Sequence, residues 1–240
     1  MFEQIKGVVL NTVEYSDKLS IVRIYTDKFG MASFTLPNAR SKKAAVKRNL
    51  FQPLNLLELV IDYKSGRQVQ KIKEARADYV YSSLAFHPLK SAVSLFLAEV
   101  VGRFIQEQEE NQQIYVFLEN SFKILDLLDG GEANFHLVFL FRFIEHLGIA
   151  PQFKDVDAGF LLLDKGLVVE QKPLYGAFFS EEVTGLLIYI SRFDYMDLQE
   201  IKLNRIQRNL LTESFINYLR FHLNQHITIK SFEVLRLLFE

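Results

Sequence analysis

The hydrophobic period changes once along this 240-residue chain, near residue 81, and that switch constrains the fold more than any motif. Before it, apolar residues alternate with polar ones at period two, as in strands. After it, they recur at three- and four-residue spacing, as in helices. A run of strands followed by a run of helices is the order of an α+β chain.

Five strands are expected in the first part. Residues 2–13 are rich in Val, Ile and Leu, with Val8 and Leu10 on one parity and Ile5, Val9 and Val13 on the other. Residues 20–26 form a second run, and Asp27-Lys28-Phe29-Gly30 reads as the turn after it. Residues 31–36 alternate, with Ala32, Phe34 and Leu36 to one side, until Pro37 stops them. Residues 40–50 suggest a short basic helix. Residues 54–63 place Leu57, Leu59, Ile61 and Tyr63 on one face, and residues 68–77 follow a Ser65-Gly66 turn. Five strands with one helix between the third and fourth is the order of an OB-fold β-barrel, an architecture that often binds single-stranded nucleic acid.

Beyond residue 81, His87-Pro88 opens a helix whose stripe is Leu89, Val93, Phe96, Leu97, Val100, Val101 and Phe104. Residues 114–128 form a second helix, stopped by Gly130-Gly131. Residues 133–147 form a third, with Gly148 as C-cap and Pro151 beyond it. Ser180 is the expected N-cap of 181–190, and 204–225 and 231–239 close the chain. Two domains follow: an OB-fold at 1–80, and an all-α helical domain at 81–240 with an irregular insert at 152–180.

Composition narrows the chemistry. The chain has 22 Phe, 10 Tyr and no Cys, so disulfides, thiol catalysis and thiolate metal sites are excluded. No apolar run approaches the ~18 residues of a membrane helix. The start, Met-Phe-Glu-Gln-Ile-Lys, has no leader pattern, so a cytoplasmic location is expected. The net charge of −1 hides an asymmetry. Residues 1–80 carry 14 Lys and Arg against 8 Asp and Glu (+6), while 81–240 carry 14 against 21 (−7). A basic module joined to an acidic one points to different partners.

The densest feature is Arg40-Ser-Lys-Lys-Ala-Ala-Val-Lys-Arg48, where Arg40, Lys42, Lys43, Lys47 and Arg48 place five positive charges in nine residues. Such crowding repels unless an anion relieves it, as a phosphate backbone would; the bland reading is a solvated helix face. Lys18 and Lys28 flank the second strand, Lys64 and Arg67 the turn before the fifth, and Lys71, Lys73 and Arg23 lie on strands. Tyr25, Phe29, Phe51 and Tyr63 are candidates to stack on bases, although a core role is the commoner fate of each. His222 and His226 have the spacing of a helical metal pair, but Asn224 and Gln225 are poor further ligands, so no metal is expected. Glu107, Glu109 and Glu110 read as a solvated helix end. There is no P-loop, GxGxxG or GxSxG pattern.

Several segments together resemble the RecO family of bacterial DNA-repair recombination mediators. They are Gly7-Val-Val-Leu with Tyr15-Ser-Asp-Lys-Leu-Ser, Phe29-Gly30 through Leu36, Ala39-Arg40-Ser-Lys, Leu50-Phe-Gln-Pro-Leu54, His146-Leu-Gly-Ile-Ala-Pro151, Tyr218-Leu-Arg-Phe-His222 and Ile229-Lys-Ser-Phe-Glu-Val-Leu235. The resemblance implies an N-terminal OB-fold, a C-terminal helical domain and a non-enzymatic mediator. It implies binding to single- and double-stranded DNA, strand annealing and assistance to RecA loading. Its implied partners are RecR and the C-terminal tail of the single-stranded-DNA-binding protein; a groove carrying Arg142 or Arg103 is a conceivable dock for that tail. Many relatives carry four cysteines after the helix end, whereas residues 152–180 here have none. No zinc cofactor is therefore expected, and the segment should rest on Phe160, Leu162, Leu167, Tyr175 and Phe178 packing. An adaptor whose basic patch recognises acidic peptides would use the same residues, and a third reading is a hydrolase with a dispersed carboxylate site.

Overall fold

A computed structural model describes residues 2–37, 47–153 and 158–238 of the chain. They form two compact units, Met1–Leu127 and Leu128–Glu240.

In the first unit, β1 (Phe2–Ser16), β2 (Leu19–Thr26), β3 (Gly30–Pro37), β4 (Leu56–Asp62) and β5 (Val69–Ala77) close into a barrel in the order β1-β2-β3-β5-β4. Closure depends on the length of β1. Its first half pairs with β4, from Phe2 opposite Asp62 to Val8 opposite Leu56, and its second half pairs with β2. A register shift between Val9 and Asn11 lets the strand bend from one partner to the other. A parallel contact, Ser33 to Thr35 against Val69 to Lys71, completes the ring.

The expected alternation is realised. Ile5, Val9, Val22, Ile24, Phe34, Leu36, Leu57, Leu59 and Ile61 fill the interior with Phe51. The opposite parity of β1 is also covered, because Val8 and Leu10 are buried and Leu10 approaches Gly102 of α1 (Pro88–Phe104). Phe96, Leu97, Val100 and Val101 of α1 are likewise buried. His87 caps α1 by accepting from Lys90 N, with Pro88 in the first turn. Helix α2 (Gln112–Leu127) completes the unit, so compact packing continues well past the change of period at residue 81.

The basic helix expected at 40–50 is corrected where it can be seen. Residues 38–46 lie outside the described residues. Lys47 is extended (φ −84°, ψ 120°), and Arg48–Phe51 is a separate 3₁₀ turn, so no continuous helix runs through Lys47.

The second unit contains α3 (Glu132–His146), α4 (Glu181–Ser191), α5 (Arg205–His222) and α6 (Ser231–Leu238). Leu147 is the C-cap of α3. Gly148 stands one residue later at φ +72°, with its N–H on the Glu145 carbonyl and Ile149 N–H on that of Ile144. Ser180 Oγ caps α4 by accepting from Val183 N, and Asn204 and Gln207 cap α5 reciprocally.

Part of the segment expected to be irregular forms strands. Short strands β6 (Phe160–Leu162), β7 (Leu167–Val169) and β8 (Phe178–Phe179) form a sheet in the order β7-β6-β8. The unit is therefore helical with one small sheet. Its buried anchors are Leu161 and Leu163, of the parity opposite to the expected Phe160 and Leu162. Leu167 is 43% exposed and Tyr175 is 88% exposed, so neither is a core residue. Phe160 and Phe178 do meet, edge to face at 5.8 Å. The segment has no cysteine, and among the described residues no three His, Cys, Asp or Glu side chains gather around a common point.

Candidate nucleic-acid interface

The candidate cations reach the barrel surface through its turns. Lys18 is exposed in the β1–β2 turn, beside the end of β3, because Leu19 pairs with Pro37. Lys47 and Arg48 are also exposed. Arg48 is paired with Glu14 at 2.7 Å, so part of its charge is already met. Thr12 Oγ1 donates to the Phe51 carbonyl and so ties the 3₁₀ turn to β1. Arg40, Lys42 and Lys43 lie outside the described residues.

A second group gathers around the β2–β3 and β4–β5 turns. These turns adjoin because Phe29 of the first stacks on Tyr63 of the second, with centroids 4.5 Å apart and planes 11° apart. Lys28 donates to the Gln4 carbonyl at 2.8 Å and lies 3.9 Å from Glu3. Lys64 is exposed, and Arg67 is half-buried, 3.8 Å from Asp62. On β5, Lys71 is exposed, and Lys73 sits 5.8 Å from the Phe2 ring.

The two groups are not one patch. The eight-residue strands β2 and β3 separate the turns, a span of about 23 Å at 3.3 Å per step. A strand of phosphates could pass both; a compact anion could touch only one.

Arg23 belongs to neither group. It is half-buried on the outer face of β2, and burial together with the Arg103 guanidinium holds it below its ordinary pKa. Sequence reasoning did not join Arg23 to Arg103, since 80 positions separate them and only the fold brings them together. Arg142, in the second unit, is already engaged by Glu145 (2.8 Å), Asp194 (3.8 Å) and the Phe193 carbonyl.

Of the candidate stacking aromatics, Tyr25 and Phe51 are core residues, 1% and 2% exposed. Burial, with a smaller push from Glu107, raises the Tyr25 phenol to about 12. Phe29 and Tyr63 remain half-buried at the barrel surface.

Among the described residues, Lys18, Lys47, Lys64 and Lys71 have no ion-pair partner. They stand exposed around a closed barrel, where an electrostatic phosphate contact can reach them.

Comparison with known proteins bears on both halves of the chain. Residues 1–80 match the model for the N terminal of recombination protein O, and residues 86–230 the model for its C terminal. A DNA repair protein RecO of Phocaeicola vulgatus is 38% identical over 240 residues, covering 100% of both chains. Its namesake from Bacteroides fragilis is 36% identical over 242 residues, again covering 100% of both. One from Christiangramia forsetii is 32% identical over 98% of each. With both terminal models matched in order and full-length relatives above 30% identity, the chain belongs to the RecO family of DNA repair proteins.

Proposed function

We propose that this protein is a recombination mediator that acts by binding rather than by bond chemistry. The barrel unit holds the phosphate backbone of single- and double-stranded DNA. Complementary strands held this way are screened from one another while their bases stay free to pair, which promotes annealing. Assistance to RecA loading, with RecR and the tail of the single-stranded-DNA-binding protein as partners, belongs to the same reading through the family. Among the described residues no helix is long and apolar enough to cross a membrane.

The observation that carries the reading is the set of exposed lysines without acidic partners around the turns of a closed five-stranded barrel. Fluorescence anisotropy with a labelled oligonucleotide at low salt tests it. Micromolar or tighter binding is expected, with loss of at least about ten-fold when Lys42, Lys43 and Lys47 are all changed to Glu. An absence of binding at low salt would leave the acidic-peptide adaptor as the better account.

A further inference from the structure

A cleft of about 210 Å³ opens between the start of β3, the β4–β5 turn and the segment after α1. Phe29, Tyr63, Arg67, Gln68, Gln70 and Gln108 line it. It is smaller than the roughly 300–1,000 Å³ of a drug-sized site, which suits one flat ring rather than a large ligand.

Each wall is held in place by named contacts. Gln70 is 7% exposed, and its carboxamide accepts from Lys64 N (3.0 Å) while donating to the carbonyls of Lys64 (3.0 Å) and Arg67 (2.8 Å). The β4–β5 turn is thus fixed from within. On the opposite side, Met31 N donates to the Glu107 carbonyl at 2.9 Å. Gly30, at φ +54°, lets the chain at 107–109 come close, because a Cβ there would strike the carbonyls of Glu107 and Glu109. That approach brings Gln108 to the cleft. The barrel wall is open here because β3 and β5 pair only from Ser33 and Val69 onward. Inside, Arg67 Nη1 is buried and has no hydrogen-bond acceptor among the described residues, with Asp62 Oδ2 3.8 Å away.

We propose that this cleft receives one unpaired nucleobase of a DNA strand, with the sugar-phosphate backbone running over Lys64 and Arg67. The proposal rests on the DNA-binding reading above and names which part of the strand the barrel holds. The Phe29–Tyr63 pair offers aromatic surface for stacking. The carboxamides of Gln68 and Gln108 offer both donors and acceptors to a base edge. The orientation follows from charge. The segment bearing Gln108 also carries Glu107, Glu109 and Glu110, which repel phosphate, whereas Lys64 and Arg67 attract it. A duplex keeps its bases stacked and their edges paired, so it has nothing to insert. The cleft therefore favours single strands over double strands, which bare lysines alone would not do.

The test uses the full chain and oligonucleotides carrying 2-aminopurine, whose fluorescence reports stacking, titrated as single strand and as duplex. The variants are Gln68→Ala with Gln108→Ala, both at exposed positions, and Tyr63→Ala with Tyr63→Phe as its conservative control. Single-strand affinity is expected to fall about five-fold or more in the double-Gln and Tyr63→Ala proteins, with duplex affinity held within about two-fold. Tyr63→Phe should bind like the parent, and the fluorescence change on binding should be lost in Tyr63→Ala. Unchanged single-strand affinity, or an equal fall for both DNA forms, would overturn the cleft while leaving phosphate binding standing. A parent protein that binds neither form at low salt would overturn the DNA-binding reading itself.

Discussion

Asp126 lies within the first unit and is almost fully buried, yet its carboxyl is held below the ordinary value of 3.8. Burial pushes it up. The N–H groups of Ser82, Ser83 and Leu84, at 2.8–2.9 Å, and the Ser82 hydroxyl outweigh that push. Lys90 donates to the Asp126 carbonyl and to Ser83 Oγ, so one corner fastens α1, α2 and the chain that enters them. Because the folded carboxyl ionises more readily than the unfolded one, its stabilisation is present above pH 3.8 and is lost as pH falls through the lowered folded value. Asp126→Asn should cost about 2 kcal/mol in denaturant unfolding at pH 7 and much less at pH 2. His136 follows the same proton bookkeeping, because its folded pKa is also lowered. It is fully buried against Thr212 Oγ1 at 2.8 Å, and burial, then Arg208, lowers its imidazole to about 3. The unfolded ring takes a proton near 6.5 while the folded one does not, so stability falls as pH drops from 6.5 toward 3, by about 1.4 kcal/mol per unit. His136→Gln should flatten that slope between pH 4 and 6; an unchanged slope would assign it to other groups.

At the scale of elements, what could be read from sequence depended on how much of each element repeats. Strands of seven to fifteen residues with one buried face announce themselves, so all five barrel strands and the parity of β4 were legible. Helix ends were legible where a side chain caps them, as at His87, Ser180 and Asn204. The sheet of β6, β7 and β8 was not. Two- and three-residue strands give no period to read, and in Phe160-Leu-Leu-Leu163 every residue is apolar, so neither parity stands out. The structure decides it by burying Leu161 and Leu163, with Leu161 N–H on Thr184 Oγ1 of α4. Leu161→Ala should therefore destabilise the second unit by about 3 kcal/mol. Tyr175→Ala should shift it by less than about 0.5 kcal/mol. Comparable losses from both would mean that the exposed loop packs as the sequence pattern first suggested.

For the whole molecule, charge can be summed over the compact units as well as on either side of residue 80. The boundary at residue 80 separates +6 from −7, but Met1–Leu127 carries 17 basic and 14 acidic residues (+3), and Leu128–Glu240 carries 11 and 15 (−4). The difference is the acidic stretch around Glu107, Glu109 and Glu110, which packs with the barrel unit rather than apart from it. Those acids make the surface polar in a useful sense, with cations at the turns and carboxylates beside them. The density of basic residues was legible from sequence. Their separation into two groups about 23 Å apart was not, because it depends on the register of β2 and β3.

If the barrel unit binds DNA by neutralising phosphates, the salt dependence of single-strand affinity measures it directly. With about five phosphates neutralised, log K against log salt should fall with a slope near −3.5, at about −0.7 per contact. The slope should become shallower by roughly one contact's worth for each of Lys18, Lys47 and Lys64 changed to Ala. A slope near zero, or one that none of these lysines alters, would contradict the account.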